Sequence, residues 1–357
     1  MNTQTGNHLK SIGGTDTRIT PAHGGYKAGG NETWAGESYS TYYDQPLVKK
    51  AHWSWQIILY FFLGGLSGGS YLVASLAHFL NSDDEDLPLI RTGRYLSFGA
   101  IVISPVLLIW DLGRPERFLH MLRVLKLRSV MSIGTWAISL FATLCGLTAA
   151  HQMANDGLFN WLPPIARLFK ALPIKAIEVT GSLFGVIVAS YTGILLSSTS
   201  VPVWARAKHI LGPLFLTSGL STALSGLSLI LSLGRPHEDT CERLDRAEFV
   251  TMTTELGLIS SLIPVLGPLS KPLFTGKTGA FFTVGSIGGG IVLPLLAKFG
   301  LRLVGKAPSP QARIGTSTLV LIGGLILRYV WIVAGRTSAD DPHAVHHYNA
   351  IEWQEKE

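Results

Sequence analysis

"IWDLGRPERFLHMLRVLKLRSVMSIGTW", residues 109–136, is the stretch whose reading decides the fold. An apolar run ends in Asp111. Arg114, Glu116, Arg117, His120, Arg123, Lys126 and Arg128 follow in quick succession, and a second apolar run begins. What such a stretch means depends on the solvent around the chain. The protein is 47% hydrophobic and only 15% charged, where a soluble domain carries about 25% charged residues. Mean hydropathy is +0.33. Several apolar runs reach the roughly 18 residues needed to cross a hydrocarbon core. The charged stretch is therefore a connection between two membrane spans.

Working outward, eight spans are expected, at roughly 53–80, 95–112, 129–151, 175–199, 209–233, 248–269, 279–300 and 314–335. Lipid offers backbone groups no partner, so each span is a helix and the fold class is an all-α membrane protein. "GGLSGGSYLVASL" (64–76) in the first span is echoed by "SGLSTALSGLSLI" (218–230) in the fifth. That shift of four helices predicts two four-helix bundles in tandem, 46–200 and 201–340. They are flanked by a flexible extramembrane tail, 1–45, and a C-terminal tail, 341–357. Residues 157–173 are too broken by proline to span and suit the interface, with Phe159, Trp161 and Phe169 as anchors. Eight spans place both termini on one side, side A. Lys and Arg near the span ends are balanced between sides A and B, so charge does not orient the protein.

The sequence pI of 9.3 and net charge of +6 come from residues flanking the spans, which points to a membrane rather than to nucleic acid. Two cysteines, Cys145 and Cys241, cannot supply the usual four thiolates of an iron–sulfur cluster. No CxxCH motif exists for c-type haem. His78 and His151 fall at side B span ends and read as interface residues rather than haem ligands, and no metal site is expected. The Gly/Thr/Asn-rich start has no apolar core and does not read as a signal peptide.

Helical projection gathers polar and aromatic side chains at the side A end of the first bundle. Gln56, Tyr60 and Ser67 on the first span face Asp111 and Arg114 after the second, Ser132 and Trp136 on the third, and Tyr191 on the fourth. A carboxylate at the edge of hydrocarbon is costly unless paired or protonated. Asp111 is either an ion-pair partner of Arg114 or Arg117 at the helix end, or a proton-exchanging group beside a redox ligand. The small residues of "GGLSGGS" serve helix packing, with or without room for a flat ligand. Glu178, Glu255 and Arg328 are further ionisable groups within spans. Glu178 is either a solvated helix end or the start of a proton path, and Glu255 and Arg328 are expected to pair. Arg117, Arg123, Lys126 and Arg128 form a basic side A loop, for phospholipid or for a docked partner.

"YFFLGGLSGGSYLVASLAHF", "SPVLLIWDLGRPERFLHMLRVLKLRSVMSIGTW", "ASYTGILLSSTSVPVWA" and "LRYVWIVAGR" resemble the NrfD/PsrC family, the membrane subunits of polysulfide-reductase-type complexes. The resemblance covers nearly all of 42–341. It implies eight helices in two bundles. It also implies a multi-pass subunit of the bacterial inner membrane that exchanges electrons between the quinone pool, menaquinone or ubiquinone, and a ferredoxin-like iron–sulfur subunit. A molybdopterin or multihaem cytochrome subunit would complete such a complex, and no haem or cluster would reside in this chain. By position, it implies a quinone pocket near Ser67, Asp111, Arg114 and Tyr191, with Asp111 taking protons. Relatives with a well-defined quinone site carry histidine or asparagine in helix one, where this chain has "GLSGG". Two other readings stand beside it, a membrane anchor for redox partners without quinone chemistry and a secondary transporter.

Overall fold

The computed structural model describes residues 48, 51, 53–80, 86–113, 116–234, 238–305 and 308–354, without the side chains of 117 and 350–354. The expected tail at 1–45 lies outside the described residues. Those described are helical, with no strand among them, and residues 46–357 form one compact unit. In chain order the helices are α1 (Trp55–Leu80), α2 (Leu87–Asp111), α3 (Glu116–Leu122), α4 (Val130–Asn155), α5 (Pro163–Lys170), α6 (Ile174–Ser197), α7 (Pro202–Arg206) and α8 (Lys208–Ser232). They continue with α9 (Glu238–Leu266), α10 (Lys271–Phe274), α11 (Gly276–Ala280), a π-helical stretch (Phe281–Val292), α12 (Leu293–Leu303), α13 (Pro310–Asp340) and α14 (Pro342–Gln354). Among the described residues, eight helical segments are long and apolar enough to cross a membrane: α1, α2, α4, α6, α8, Glu238–Phe274, Gly276–Leu303 and α13. This matches the expected number and order.

Three spans start four or more residues earlier than the sequence suggests. The second was expected from 95 and begins at Leu87, the sixth from 248 and begins at Glu238, and the eighth from 314 and begins at Pro310. In each case the extra turns carry a charge, Arg94, Asp245 or Arg313, that is neutralised by an ion pair within the protein. A paired charge does not have to end a span. The segment expected at the interface holds the short helix α5, with Trp161 fully outside the core and Phe159 against Phe169, ring centroids 5.5 Å apart.

Small residues set the central contact. α1 packs against α2, α6, α8 and α13. A Cβ on Gly65 would lie 3.2 Å from the Cα of Gly219, and one on Gly69 would lie 2.7 Å from the Cβ of Ala223. In lipid, where no hydrophobic drive separates helix from solvent, such backbone approach supplies the packing energy. Gly65 and Gly219 are matching positions in the two echoed stretches. Asp86 and Thr240, 154 residues apart and therefore at the same offset, are hydrogen-bonded at 3.0 Å.

Candidate functional site

At side A the start of α1 meets the end of α2. Ser54 donates its hydroxyl to Asp111 Oδ1, and Trp55 packs edge-on to Trp110 at 5.9 Å. Asp111 is partly buried. Its expected partner Arg114 and the side chain of Arg117 lie outside the described residues, so Ser54 is the partner the structure gives it. Sequence reasoning missed Ser54 although it fell within the expected first span, because its partner is 57 residues away on another helix.

Tyr60 and Tyr191 are both buried and near enough to interact electrostatically. Neither phenol oxygen is hydrogen-bonded among the described residues. Gln56 is one helical turn before Tyr60, on the same face, and its Oε1 is buried without a partner. Tyr191 is positioned by Gly134 of α4: a Cβ on that glycine would fall 2.0 Å from the Tyr191 ring. Tyr60 and Tyr191 are thus neighbours, and Gln56 shares the face of Tyr60.

Ser132, Trp136 and Ser67 are not part of that group. Ser132 and Trp136 share a face of α4 that is turned about 200° from Gly134. The Ser132 hydroxyl accepts from Lys126 N at 3.0 Å and donates to Val124 O at 3.3 Å, which folds the basic loop onto the first turn of α4. Trp136 Nε1 is buried without a partner. Arg123, Lys126 and Arg128 on that loop are exposed. Ser67 is deeper in the span, with no exposed surface. It donates to Ser97 O at 2.7 Å and sits 3.1 Å from Ser97 Oγ. Ser97 is 14 residues from Asp111, roughly 21 Å of helix, so the expected neighbourhood of Ser67 and Asp111 is corrected.

A family sequence model described as polysulphide reductase, NrfD, matches residues 46–339. The protein belongs to the NrfD family. It is 28% identical over 305 residues to "Protein NrfD" of Escherichia coli, covering 80% of this chain and 95% of that protein. It is 29% identical over 304 residues to a polysulfide reductase chain of Wolinella succinogenes, covering 80% and 94%. With a selenate reductase subunit of Mesobacillus selenatarsenatis it shares 28% over 341 residues, covering 80% and 74%. Membership and the eight apolar helices make this a multi-pass membrane protein.

Side B of this NrfD protein holds charge that the sequence placed differently. Glu178 was expected as a solvated helix end or a path entrance, and solvation is excluded because it has no exposed surface. Arg94 Nε donates to Glu178 Oε1 at 3.1 Å, His78 Nδ1 lies 2.5 Å from Oε2, and Arg94 Nη1 donates to Gln152 Oε1 at 2.7 Å. His151, set aside as a haem ligand, donates from Nδ1 to Phe169 O at 2.9 Å and ties α5 down. His78, Arg91, Arg94, Tyr95, His151 and Gln152 line a cavity of about 780 Å³. At its rim, burial pushes the Asp156 carboxyl up, but hydrogen bonds from Tyr95 and Gln152 and the Arg91 charge outweigh it, holding the carboxyl below its usual range. Among the described residues no group of three or more His, Cys, Asp or Glu is arranged to hold a metal.

In the second half, Lys298 bonds Asp245 at 2.7 Å and also reaches Glu248, while Arg313 Nε donates to Asp245 Oδ2 at 3.1 Å. Sequence reasoning missed this cluster because Asp245 and Arg313 lay outside the expected spans, while Glu248 and Lys298 sat at the ends of spans whose packing the sequence does not give. Arg328, fully buried, donates to Ser218 Oγ and to Phe215 O at 3.3 Å, and stacks over the Phe215 ring at 5.1 Å. Glu255 lies against the same Ser218. The expected Glu255–Arg328 pairing is therefore electrostatic and bridged by a hydroxyl.

Proposed function

We propose that this protein is the quinone-binding membrane subunit of a respiratory reductase complex, exchanging electrons with an iron–sulfur subunit docked at side A. The observation that carries the reading is the group of Gln56, Tyr60 and Tyr191. It offers two phenols with no hydrogen bond among the described residues and one amide whose Oε1 is buried without a partner. Leaving Gln56 Oε1 unpaired costs about 1–3 kcal/mol; a quinol hydroxyl can donate to it, and the two phenols can donate to the oxygens of the quinone form. A quinone supplies two-electron, two-proton redox chemistry when bound.

In this reading Tyr60 and Tyr191 donate to the ligand oxygens and Gln56 orients it. Asp111, held by Ser54 at the side A mouth, takes or gives protons, and Arg114 follows three residues later in sequence. Trp136, with its free indole N–H, stands on the adjacent helix, while Ser132 shapes the loop. Ser67 has no direct role. Glu178, Glu255 and Arg328 move protons within the membrane. Arg117, Arg123, Lys126 and Arg128 dock a ferredoxin-like partner. The complex, in a bacterial inner membrane, is completed by a molybdopterin or multihaem cytochrome subunit. The relatives named for polysulfide and selenate reductases support a place in a complex of that type. We also propose that the fold divides into bundles at 46–200 and 201–340, for which the Gly65–Gly219 contact is support.

One observation favours the anchor reading: the helix-one serine that would have to replace a ligand-binding histidine or asparagine is spent on Ser97. Turnover separates the two. The assembled complex, reconstituted with menaquinol or ubiquinol, is expected to lose quinol oxidation by about 10-fold or more in Tyr60→Phe and in Gln56→Leu, with KM raised. Wild-type KM and rate in both variants would leave only the anchor.

A further inference from the structure

The buried oxygens of the second half form a line. On α8, Ser218, Ser221, Ser225 and Ser228 recur at spacings of three and four residues and so share one face. All four are buried. On α9, Asp245, Glu248, Met252 and Glu255 recur the same way and are also buried. The two helices run antiparallel, with Ser225 level with Glu248 and Ser218 level with Glu255, as their mutual contacts require. From α13, Arg328 reaches Ser218. Ser317, eleven residues earlier on α13, lies on the same face.

This seam holds a concentration of unsatisfied polar atoms. Ser221 Oγ, Ser225 Oγ, Glu248 Oε1, Ser317 Oγ and Arg328 Nε are all buried without a well-formed hydrogen bond. Ser225 stands near Glu248 and Ser221 near Glu255, but neither contact has full hydrogen-bond geometry. Buried polar atoms in native proteins are almost always paired, and where protein does not pair them, bound water does. One such atom is a local defect. Five on one three-helix seam, spread over the length from Ser317 to Arg328, ask for a common explanation. The side B end of the seam opens: Asp245, Lys298 and Arg313 line a cavity of about 660 Å³, and Lys298 bonds Glu248 directly behind them.

We propose that the α8–α9–α13 seam holds a file of bound waters that connects the side B cavity, through Asp245, Lys298 and Glu248, to Glu255 and Arg328. From Glu248 to Glu255 is seven residues, roughly 10 Å of helix, a gap that three or four waters span with Ser225 and Ser221 as their anchors. The file gives Glu255 a route for exchanging protons with side B. Its purpose rests on the proton role proposed for Glu255 and Arg328, but its existence does not depend on quinone chemistry.

Met252 provides the test. It sits on α9 between Glu248 and Glu255, on the buried face, with no exposed surface. Methionine reacts readily with hydroxyl radicals, and radicals made from bound water by an X-ray pulse oxidise the side chains beside that water. The full-length protein in lipid nanodiscs, without quinone, is irradiated and the oxidation of Met252 and of exposed Met131 is read by mass spectrometry. Met252 is expected to be oxidised at a rate within about 10-fold of Met131, and at least 5-fold more slowly in Ser221→Val and Ser225→Val. A wild-type Met252 left intact at doses that oxidise Met131 fully would overturn the file, whatever the variants do. So would an unchanged Met252 rate in folded Val variants. Because no quinone enters the measurement, its failure would leave the quinol turnover results untouched.

Discussion

Tyr191 lies over Gly134, so close that a Cβ on that glycine would fall 2.2 Å from the phenol oxygen. The glycine is therefore what lets a ring from α6 occupy the space beside α4. Gly134→Ala forces Tyr191 to move, while alanine itself is a better helix former. Quinol turnover of the assembled complex is expected to fall by about 10-fold or more, with thermal stability lowered by overpacking as the ring is displaced. A variant with wild-type turnover would remove Tyr191 from the ligand-binding group.

The Arg94–Glu178 pair makes a prediction about stability. Both side chains are buried, so removing one leaves the other charged and unpaired. Arg94→Leu or Glu178→Leu alone is expected to cost about 3–5 kcal/mol, and the double replacement less than either. Thermal denaturation of the purified protein decides this. If the double variant is as unstable as the sum of the singles, the two residues act independently and the pair is not what holds side B.

The fold was legible because lipid allows few solutions: apolar runs of this length must be helices, and counting them gave eight. The starts of α2, α9 and α13 were not legible, since hydropathy counts Arg94, Asp245 and Arg313 as breaks without knowing their partners. The same blindness hid the side B clusters, whose members come from helices far apart in sequence. At side A, the α1 periodicity gave the shared face of Gln56 and Tyr60 correctly. It also put Ser67 on that face, but it carries no depth, and Ser67 is two turns further in. Gly134 was passed over because a lone glycine within "MSIGTW" gives no hint that a tyrosine from another helix rests on it.

Neighbouring glycines of α1 are expected to differ sharply. A Cβ on Gly69 would clash with Ala223 Cβ and stand 2.8 Å from Gly219 O, whereas one on Gly64 would make an ordinary 3.8 Å contact with Val188. Gly69→Ala should destabilise by about 1–3 kcal/mol through overpacking. Gly64→Ala should be neutral or slightly stabilising. Melting curves of the two variants check the contrast, and equal behaviour would mean that α1 and α8 are not pressed together at Gly69.

Asp156 makes stability depend on acidity. Its folded carboxyl titrates below its unfolded one, so its contribution is complete above the unfolded value, near 3.8, and is lost as pH falls through the folded value. The wild type should therefore lose more thermal stability between about pH 5 and about pH 3 than Asp156→Asn does. Parallel slopes for the two proteins would show that Tyr95, Gln152 and Arg91 do not favour the charged form.

Asp111 separates chemistry from support. It is partly exposed and its bond comes from Ser54, a donor that an asparagine carbonyl oxygen can equally accept. Asp111→Asn should therefore fold with its melting temperature nearly unchanged. If the carboxylate takes quinol protons, the same change removes the base and should slow quinol oxidation by about 100-fold or more. Ser54→Ala distinguishes position from proton transfer: it leaves the carboxylate but frees it to rotate, so a loss smaller than that of Asp111→Asn is expected. Turnover of the assembled complex and melting of the purified subunit are measured together. An Asp111→Asn protein that assembles and oxidises quinol at the wild-type rate would reduce Asp111 to a helix-end contact of Ser54.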